Sequence, residues 1–194
     1  MRVAIFSGSF NPIHMGHIML ASYYAEYGMF DEVWLLVSPH NPLRERTSVD
    51  NDKHRCEMVK MAVEELPHVK FCDIEFTLPP PSYTIKTLEA LSAAYPMHDF
   101  TLIIGADNWL IFDRWRDYER IISDYKVCIY PRRGYEIDTT TLPATVSYVE
   151  APLVELSSTW IREGVAQQRD MTAFLPHGVF KYIKENNLYQ APTQ

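Results

Sequence analysis

Residues 6–17 read FSGSFNPIHMGH, and they join a short apolar run (2–7) to a stretch in which apolar residues recur at helical spacing (15–28). Gly8 allows a tight turn after the apolar run, and Pro12 stiffens the bend that follows. The order of apolar run, turn and helical periodicity predicts a strand that leads into a helix. An α/β fold is expected if this order repeats along the chain.

The same alternation does repeat. Further strands are predicted at 32–38, 69–75, 99–105, 125–131 and 145–152, further helices at 52–66 and 83–96, and short helices up to Leu188. Gly28 is predicted to end the first helix. Strands that alternate with helices imply right-handed crossovers, so we predict an α/β fold: a Rossmann-like doubly wound parallel sheet with strand order 3-2-1-4-5 and a short C-terminal helical portion. We expect one domain over 1–190, with the helical subregion at 152–190 and a tail at 191–194.

This fold predicts where a ligand binds. In a doubly wound sheet, ligands bind outside the carboxyl ends of the strands, where the strand order reverses. With the order 3-2-1-4-5, that crevice lies between the first and fourth strands. The first strand ends in GSFNPIHMGH (8–17) and the fourth ends in GADNW (105–109). Both unusual sequences therefore lie where the fold places a binding site.

The composition limits the kind of partner. The 194 residues include 18 Lys and Arg against 25 Asp and Glu, which gives a net charge of −7. This charge disfavours an extended nucleic acid, but it allows a small phosphate ligand held by a few local cations. The three cysteines are far apart without CxxC spacing, and we see no signal peptide and no apolar run near the roughly 18 residues of a membrane span. We therefore expect a cytoplasmic protein without a membrane partner.

The start of the first helix, near Met15, has an unusual charge pattern. Helix amides and the helix dipole form a site for anions, and a helix without a ligand favours Asp or Glu in its first turn. This helix has Gly16 and His17 instead, with His14 just before it. Two potential cations thus lie at the positive end of the helix, and a bound phosphate would resolve that conflict.

Other interpretations of this stretch stay open. The histidine pair could bind a metal, although no third ligand of suitable type lies nearby. The stretch could also be a purely structural turn. The dinucleotide motif G-x-G-x-x-G is absent, because the next glycine after Gly8 is Gly16, so a hydride-transfer enzyme is disfavoured.

A second stretch, LSSTWIREG (156–164), raises the same question. Ser157 or Ser158 is a good N-cap, but the acid of a capping box is missing. Arg162 lies near the start of the predicted helix, at the wrong end of its dipole. In isolation Arg162 could be a solvated surface residue, but with the first helix start it suggests a second phosphate cradle.

Both stretches resemble the signatures of the HxGH nucleotidyltransferase superfamily. GSFNPIHMGH resembles GxFxPxHxGH, and LSSTWIR resembles ISSTxIR with Leu156 in place of Ile. The resemblance implies that His14, His17 and Arg162 are catalytic and act on the ATP phosphates. It also implies ATP-binding residues at Gly8, Ser9, Phe10, Gly16, Gly105, Asp107, Ser157, Ser158 and Thr159, with Asp107 facing the adenosine and Mg²⁺ accompanying ATP.

The whole chain resembles the bacterial nicotinate-nucleotide adenylyltransferases. The resemblance rests on SPHNPLR (38–44), SYTIKTLEAL (82–91), IIGADNWLIFDRW (103–115) and YPRRGY (130–135). It implies adenylyl transfer from ATP to nicotinate mononucleotide, which gives deamido-NAD and pyrophosphate. It also implies acceptor-binding residues at His40, Asn41, Arg44, Tyr83, Thr84, Trp115, Tyr118 and Arg132, with no protein metal site.

The residues themselves suggest how an aromatic acid binds. Trp115 and Tyr118 follow the loop after the fourth strand, where an aromatic acceptor could stack on them. Tyr83 and Thr84 stand at a predicted helix start, whose amides could receive a carboxylate. Trp115 could instead belong to the core or to a lid, and the helix start could be a plain N-cap. Arg132 could bind a substrate phosphate or simply cover the surface.

Two departures from the family pattern bear on the acceptor. The lysine of the family's PHK loop is Asn41 here, and Arg44 is a candidate replacement. The family's RPG turn becomes Arg132-Arg133-Gly134. Rival functions are an adenylyltransferase that prefers or also uses nicotinamide mononucleotide, a phosphopantetheine adenylyltransferase, and a non-catalytic nucleotide sensor. The sequence leaves open whether the protein is a homo-oligomer.

Overall fold

The computed structural model describes residues 1–27, 29–39 and 52–191. Its six strands form one parallel sheet with the order β3-β2-β1-β4-β5-β6. The strands are β1 (Arg2–Gly8), β2 (Glu32–Val37), β3 (Val69–Cys72), β4 (Asp99–Gly105), β5 (Lys126–Tyr130) and β6 (Val146–Tyr148). The predicted Rossmann-like sheet and the order of its first five strands are confirmed, and β6 extends the sheet beyond β5.

Helices connect these strands and complete the chain. They are α1 (Met15–Glu26), α2 (Asp52–Val63), α3 (Thr84–Ala94), α4 (Ala106–Trp109), α5 (Tyr118–Asp124), α6 (Ser158–Ala166) and α7 (Val179–Glu185). Short 3₁₀ turns lie at Ile74–Thr77, Phe112–Arg114, Thr139–Thr141 and Thr172–Phe174. The predicted C-terminal helical portion corresponds to α6 and α7. Among the residues described, no helix is long and apolar enough to cross a membrane.

Two apolar clusters cover the two faces of the sheet. Ala4 and Phe6 of β1 pack in a cluster with residues of α1, α2 and α7, whereas Val3 and Ile5 pack in a second cluster with residues of α3 and α5. Successive side chains of a strand point to opposite faces, so a strand that is covered on both faces must be apolar throughout. This explains why β1 reads as an uninterrupted apolar run.

Two predicted strands are longer than the observed strands, and the helices α4 and α5 were not predicted. The third strand was expected to reach residue 75, but it ends at Cys72. A 3₁₀ turn follows, and the side chain of Glu75 within it is buried. The sixth strand covers three residues of the predicted 145–152, because its partner β5 ends before Pro131, which has no N–H to donate. The helix α5 was not predicted, because its seven residues are too few for a clear helical periodicity. Gly28, the predicted helix stop, lies outside the described residues.

The sheet register brings the two unusual sequences together. β1 and β4 are neighbours, with Phe6 opposite Ile103, so Gly8 and Gly105 lie at the same edge of the sheet. Both glycines lie at the carboxyl ends of their strands. The predicted crevice between the first and fourth strands is therefore where α1 and α4 begin.

Candidate active site

His14 and His17 form a stacked pair at the start of α1. His14 is the N-cap residue, in an extended conformation, and its backbone N–H donates to Nδ1 of His17 at 3.3 Å. Because Nδ1 of His17 accepts a hydrogen bond, the proton of the neutral ring lies on Nε2. The two ring centroids are 3.6 Å apart with an interplanar angle of 22°. The pair thus presents Nε2–H of His17 as a fixed donor.

Both imidazoles are neutral near pH 7. Burial, helped by the positive charge of Arg132, lowers the pKa of His14 to about 4. Burial also lowers the pKa of His17 well below its usual value, and His14 and Arg132 add to the effect. The expectation of two cations at this helix start is therefore wrong for the protein without ligand, because it did not take account of burial. The histidines act here as hydrogen-bond donors rather than as charges.

His14 also has an unused polar atom. The side chain is 5% exposed, and its Nδ1 has no hydrogen-bond partner among the residues that the structure describes. A buried polar atom without a partner costs about 1–3 kcal/mol. A phosphate oxygen could satisfy this atom if Nδ1 carries the ring proton, because an anion accepts hydrogen bonds and does not donate them.

Glycine at position 16 makes room for the His14 ring. A Cβ atom there would lie 3.1 Å from both Cε1 and Nδ1 of His14. At position 8, a Cβ would lie 3.0 Å from the ring of Phe10, which is buried with φ 45°. The two glycines of the first motif therefore permit close packing of the side chains that follow them.

Arg55 of α2 holds the loop between β1 and α1 in place, and this residue was not identified from the sequence. Its guanidinium donates to the Ser9 carbonyl at 2.6 Å and pairs with Asp52 at 2.6 Å, and the residue is 2% exposed. The signal was present in the sequence. Arg55 lies on the apolar face of α2, at helical spacing from the buried Met58 and Val59.

The second motif packs directly on the first. Ser157 is the N-cap of α6, and its hydroxyl accepts the N–H of Trp160 at 3.1 Å. Arg162 donates to the Asn11 carbonyl at 2.7 Å and to Oγ1 of Thr159 at 3.2 Å. Further contacts are donated by the Ser158 hydroxyl to the Pro12 carbonyl, at 2.9 Å, and by the Tyr189 hydroxyl to Oδ1 of Asn11. The two motifs therefore contact each other directly, and the contribution of Tyr189 was not foreseen.

Arg132 lies beside the histidine pair. Its guanidinium donates to the Tyr130 hydroxyl at 2.8 Å, and its Nε lies 3.6 Å from Oδ1 of Asp107. A Cβ at position 105 would overlap the Asp107 carboxylate and lie 3.1 Å from Nε of Arg132, so Gly105 permits this approach. Arg132 was assigned to the acceptor by resemblance, and here it adjoins residues assigned to ATP. The positive charge of the site comes from Arg132 and Arg162.

A small cavity lies against the two imidazoles. Its volume is about 50 Å³, room for one or two water molecules. The lining residues come from α1, from the end of β5 and from the segment before α6: they include His14, Gly16, His17, Tyr130, Arg132, Leu153 and Leu156. The site therefore continues from the helix start toward Arg132.

The residues predicted to hold the acceptor ring lie together. Trp115 and Tyr118 pack around Phe112, with ring centroids 5.0 and 6.3 Å from it. Tyr83 packs partly buried against the same apolar cluster. Tyr83 is also the N-cap of α3, whose first turn has no acidic residue and no side-chain cap. The three other residues assigned to the acceptor, His40, Asn41 and Arg44, lie outside the described residues.

The buried state of His14 predicts a pH dependence of stability. The unfolded ring titrates near pH 6.5 and the folded ring near pH 4, so acid protonates the unfolded chain first and destabilises the fold. The part of the free energy of unfolding that depends on a neutral His14 ring is fully present above about pH 6.5. This part is lost as the pH falls toward 4. This ring accounts for a loss of about 2 kcal/mol by pH 5 and about 3 kcal/mol by pH 4.

Urea unfolding at pH 7 and pH 5 measures this loss. The His14→Gln variant has no titrating ring at position 14, so its free energy of unfolding should fall less between the two pH values than that of the wild type. A control is His68→Gln, which replaces an exposed histidine. Equal losses in the wild type and in His14→Gln would contradict the prediction.

The sheet, the two helix starts and the arginines beside them define the class of protein. Residues 5–164 match the cytidylyltransferase-like family. The chain is 48% identical over 185 residues to a protein of Bacteroides thetaiotaomicron, covering 95% of this chain and 92% of the relative. It is 47% identical over 182 residues to a protein of Bacteroides fragilis, covering 94% and 90%. Both relatives are named "Probable nicotinate-nucleotide adenylyltransferase".

The chain therefore belongs to the cytidylyltransferase-like family and, within it, to the nicotinate-nucleotide adenylyltransferases. The fold is also that of a more distant solved structure, Plasmodium falciparum nicotinic acid mononucleotide adenylyltransferase complexed with NaAD. The TM-score is 0.79 at 19% identity, and the match covers 97% of each chain. A second structure of the Plasmodium protein, complexed with APC, gives a TM-score of 0.77 at 18% identity.

Proposed function

We propose that this protein transfers the adenylyl group of ATP to nicotinate mononucleotide, which forms deamido-NAD and pyrophosphate in NAD biosynthesis. The observation that carries the proposal is the junction of the two motifs. Arg162 of α6 donates to the Asn11 carbonyl, so one arginine and two helix starts converge at the loop that ends in the histidine pair. Helix starts and arginines are the groups that proteins use to hold phosphates.

The reaction needs no covalent intermediate with the protein. A phosphate oxygen of the acceptor attacks the α-phosphorus of ATP, and a new P–O bond forms there. The bond from the α-phosphorus to the bridging oxygen breaks, and its electrons leave with pyrophosphate. The acceptor phosphate is already an anion at neutral pH, so the protein's task is to position the reactants and to stabilise charge.

Each group of the site has a part in this proposal. Nε2–H of His17 donates to a phosphate oxygen as negative charge moves toward the leaving group, and His14 supports it from the stacked position. Arg162, with Ser157, Ser158 and Thr159, holds the β- and γ-phosphates. Gly8, Ser9, Phe10, Gly16 and Gly105 let the backbone approach the nucleotide. Asp107 faces the adenosine, and Arg132 serves the acceptor phosphate from its place beside the histidines.

Mg²⁺ enters this proposal as the ion that accompanies ATP. In nucleotide sites, Mg²⁺ usually takes one or two carboxylates, phosphate oxygens and water, so it needs no cage of protein ligands. Over 1–27, 29–39 and 52–191, no three His, Cys, Asp or Glu side chains form a metal-binding group. We propose that phosphate oxygens and water hold the Mg²⁺ ion, and we assign the ion no protein ligand. When bound, the ion neutralises phosphate charge.

The acceptor site rests on the start of α3 and on the aromatic cluster beside it. The amide at the start of α3, at Thr84, can receive the carboxylate that distinguishes nicotinate from nicotinamide, because no side chain caps this helix start. Trp115 and Tyr118 offer faces for the pyridine ring. His40, Asn41 and Arg44 keep the role that the resemblance implies.

The reduced cysteines Cys56, Cys72 and Cys128 support a cytoplasmic location for the enzyme.

The acceptor is tested by measuring pyrophosphate release from ATP and Mg²⁺ with each of three acceptors. We expect kcat/KM to be highest with nicotinate mononucleotide, because the amides of α3 favour a carboxylate. Nicotinamide mononucleotide should react at least about tenfold less efficiently, which is the rate equivalent of about 1.4 kcal/mol. Equal or faster reaction with nicotinamide mononucleotide, or reaction with phosphopantetheine only, would replace the proposed acceptor. No release with any of the three would indicate a nucleotide sensor.

A further inference from the structure

A buried carboxylate lies beneath the start of α3. Glu75 stands in the 3₁₀ turn after β3 and is 5% exposed. Its Oε1 accepts the hydroxyl of Thr87 at 2.8 Å, and Thr87 is itself 2% exposed. Among the residues that the structure describes, no Lys, Arg or His forms an ion pair with Glu75. The carboxylate is thus held by neutral hydroxyl groups.

The second partner of Glu75 lies at the end of β2. Hydrogen bonding with the Ser38 side chain acts to lower the pKa of Glu75, against the effect of burial. The side-chain oxygen of Ser38 lies 2.9 Å from Oγ of Ser7, and its backbone N–H donates to the Gly8 carbonyl at 3.1 Å. These contacts form a polar network of Ser7, Ser38, Glu75 and Thr87, which joins the ends of β1 and β2 to α3.

Burial of a carboxyl group at this position costs free energy, because the charged form loses its contact with water. Burial raises the pKa of Glu75, although the two hydroxyl donors work in the opposite direction. Hydrogen bonds must offset the free energy that is lost when a polar group is removed from water. A network in which every polar group has a partner also favours one arrangement of the elements that it joins. Among the elements joined here, α3 is the one to which the proposed function assigns the acceptor.

We propose that Glu75 is a positioning residue for the acceptor: its carboxylate sets the first turn of α3 against the end of β2. This inference rests on the proposed function. Thr87 lies one turn after Tyr83, and its hydroxyl also lies 3.4 Å from the Tyr83 carbonyl. A shift of Thr87 would therefore move the first turn of α3 and the amides to which the proposed function assigns the carboxylate.

The effect should fall mainly on the acceptor, because Glu75 contacts Thr87 of α3 directly and, among the described residues, is connected to Ser7 and Gly8 only through Ser38. The loop that holds ATP has its own supports, because Arg55 binds the Ser9 carbonyl and Arg162 binds the Asn11 carbonyl. A displacement of about 1 Å in a reactant is enough to reduce a rate by a factor on the order of a hundred. Loss of the Glu75 contacts should thus raise the KM for nicotinate mononucleotide and leave the KM for ATP nearly unchanged.

The test compares four variants with the wild type by steady-state kinetics and thermal unfolding. Glu75→Ala removes both contacts, and Thr87→Val removes one hydroxyl while keeping the shape of the side chain. We expect the KM for nicotinate mononucleotide to rise about tenfold in Glu75→Ala and about threefold in Thr87→Val, as for the loss of hydrogen bonds of typical strength. The KM for ATP should change less than about twofold. Glu75→Gln keeps one acceptor oxygen for the Thr87 hydroxyl and replaces the other oxygen with an NH2 group of similar shape, so its KM should stay within about threefold of the wild type.

Glu89→Ala is the matched control, because Glu89 lies on the outer face of α3 and pairs with Lys86 and Arg120. Its two KM values should match those of the wild type. Equal rises of both KM values, no rise in folded Glu75→Ala, or no rescue in Glu75→Gln would overturn the inference. If Glu75→Ala does not fold, Thr87→Val decides the question. Failure of the proposed function looks different, because the wild type itself would then not use nicotinate mononucleotide.

Discussion

His17→Ala is expected to lower kcat by at least about tenfold, because it removes the fixed Nε2–H donor to which the proposed function assigns a phosphate oxygen of ATP. Loss of one donor that stabilises developing charge typically costs a factor of about 10²–10³ in kcat. The ring of His17 packs edge-on against Phe10, with centroids 5.0 Å apart, so some packing is lost as well. The decrease is measured as pyrophosphate release at saturating ATP and nicotinate mononucleotide.

Two measurements separate this chemical effect from unfolding. Thermal unfolding of His17→Ala should show a cooperative transition above the assay temperature. His68→Ala removes an exposed histidine and should keep the kcat of the wild type. Near-normal turnover in folded His17→Ala would exclude the role assigned to this residue.

Arg162→Lys is expected to lower kcat/KM for ATP by at least about tenfold, although the charge is kept. The guanidinium of Arg162 binds the Asn11 carbonyl and Thr159 with two different nitrogens. A lysine ammonium is a single point charge without a planar fork, so it cannot keep both contacts and also face a phosphate. Arg162→Ala, which removes the charge as well, should show a larger decrease.

The control for this substitution is Arg169→Lys, which changes an exposed arginine three residues beyond α6. Its kcat/KM should equal that of the wild type. If Arg162→Lys retained full activity, Arg162 would act only through its charge, and its contact with the first motif would have no catalytic importance. A decrease in the KM for ATP would likewise contradict a role in holding the β- and γ-phosphates.

The sheet and the place of the site could be predicted from sequence because both depend on local patterns. The apolar runs of β1 and β4 and the helical spacing of α1 are visible within a few residues. Parallel topology then places Gly8 and Gly105 at one edge. The motif of α6 was interpreted from Ser157 and Arg162 only in combination with the first helix start and the resemblance of LSSTWIR to the family signature.

The charge state of the site could not be predicted in this way. The low pKa values of His14 and His17 come from burial and from Arg132, which is more than a hundred residues away in the chain. The neighbouring sequence shows only that each histidine lies at a helix start, and this information led to the expectation of a positive charge. The positive potential comes instead from arginines whose position depends on the complete fold.

Support residues were missed for a related reason. Arg55, Glu75 and Tyr189 lie outside every motif, and each acts through one or two contacts with residues distant in sequence. Arg55 was the one with a readable signal, a buried cation on an apolar helix face. For Glu75 and Tyr189 the sequence shows only a polar residue in a turn or near the end of the chain.

The contact between Tyr189 and Asn11 has a consequence for how this protein is made. Translation releases the first motif early, whereas Arg162 and Tyr189, which hold Asn11, are added near the end. Asn11 gains both contacts only when residues from opposite ends of the described chain come together, so the conformation of the first motif depends on the folding of α6 and of the segment after α7.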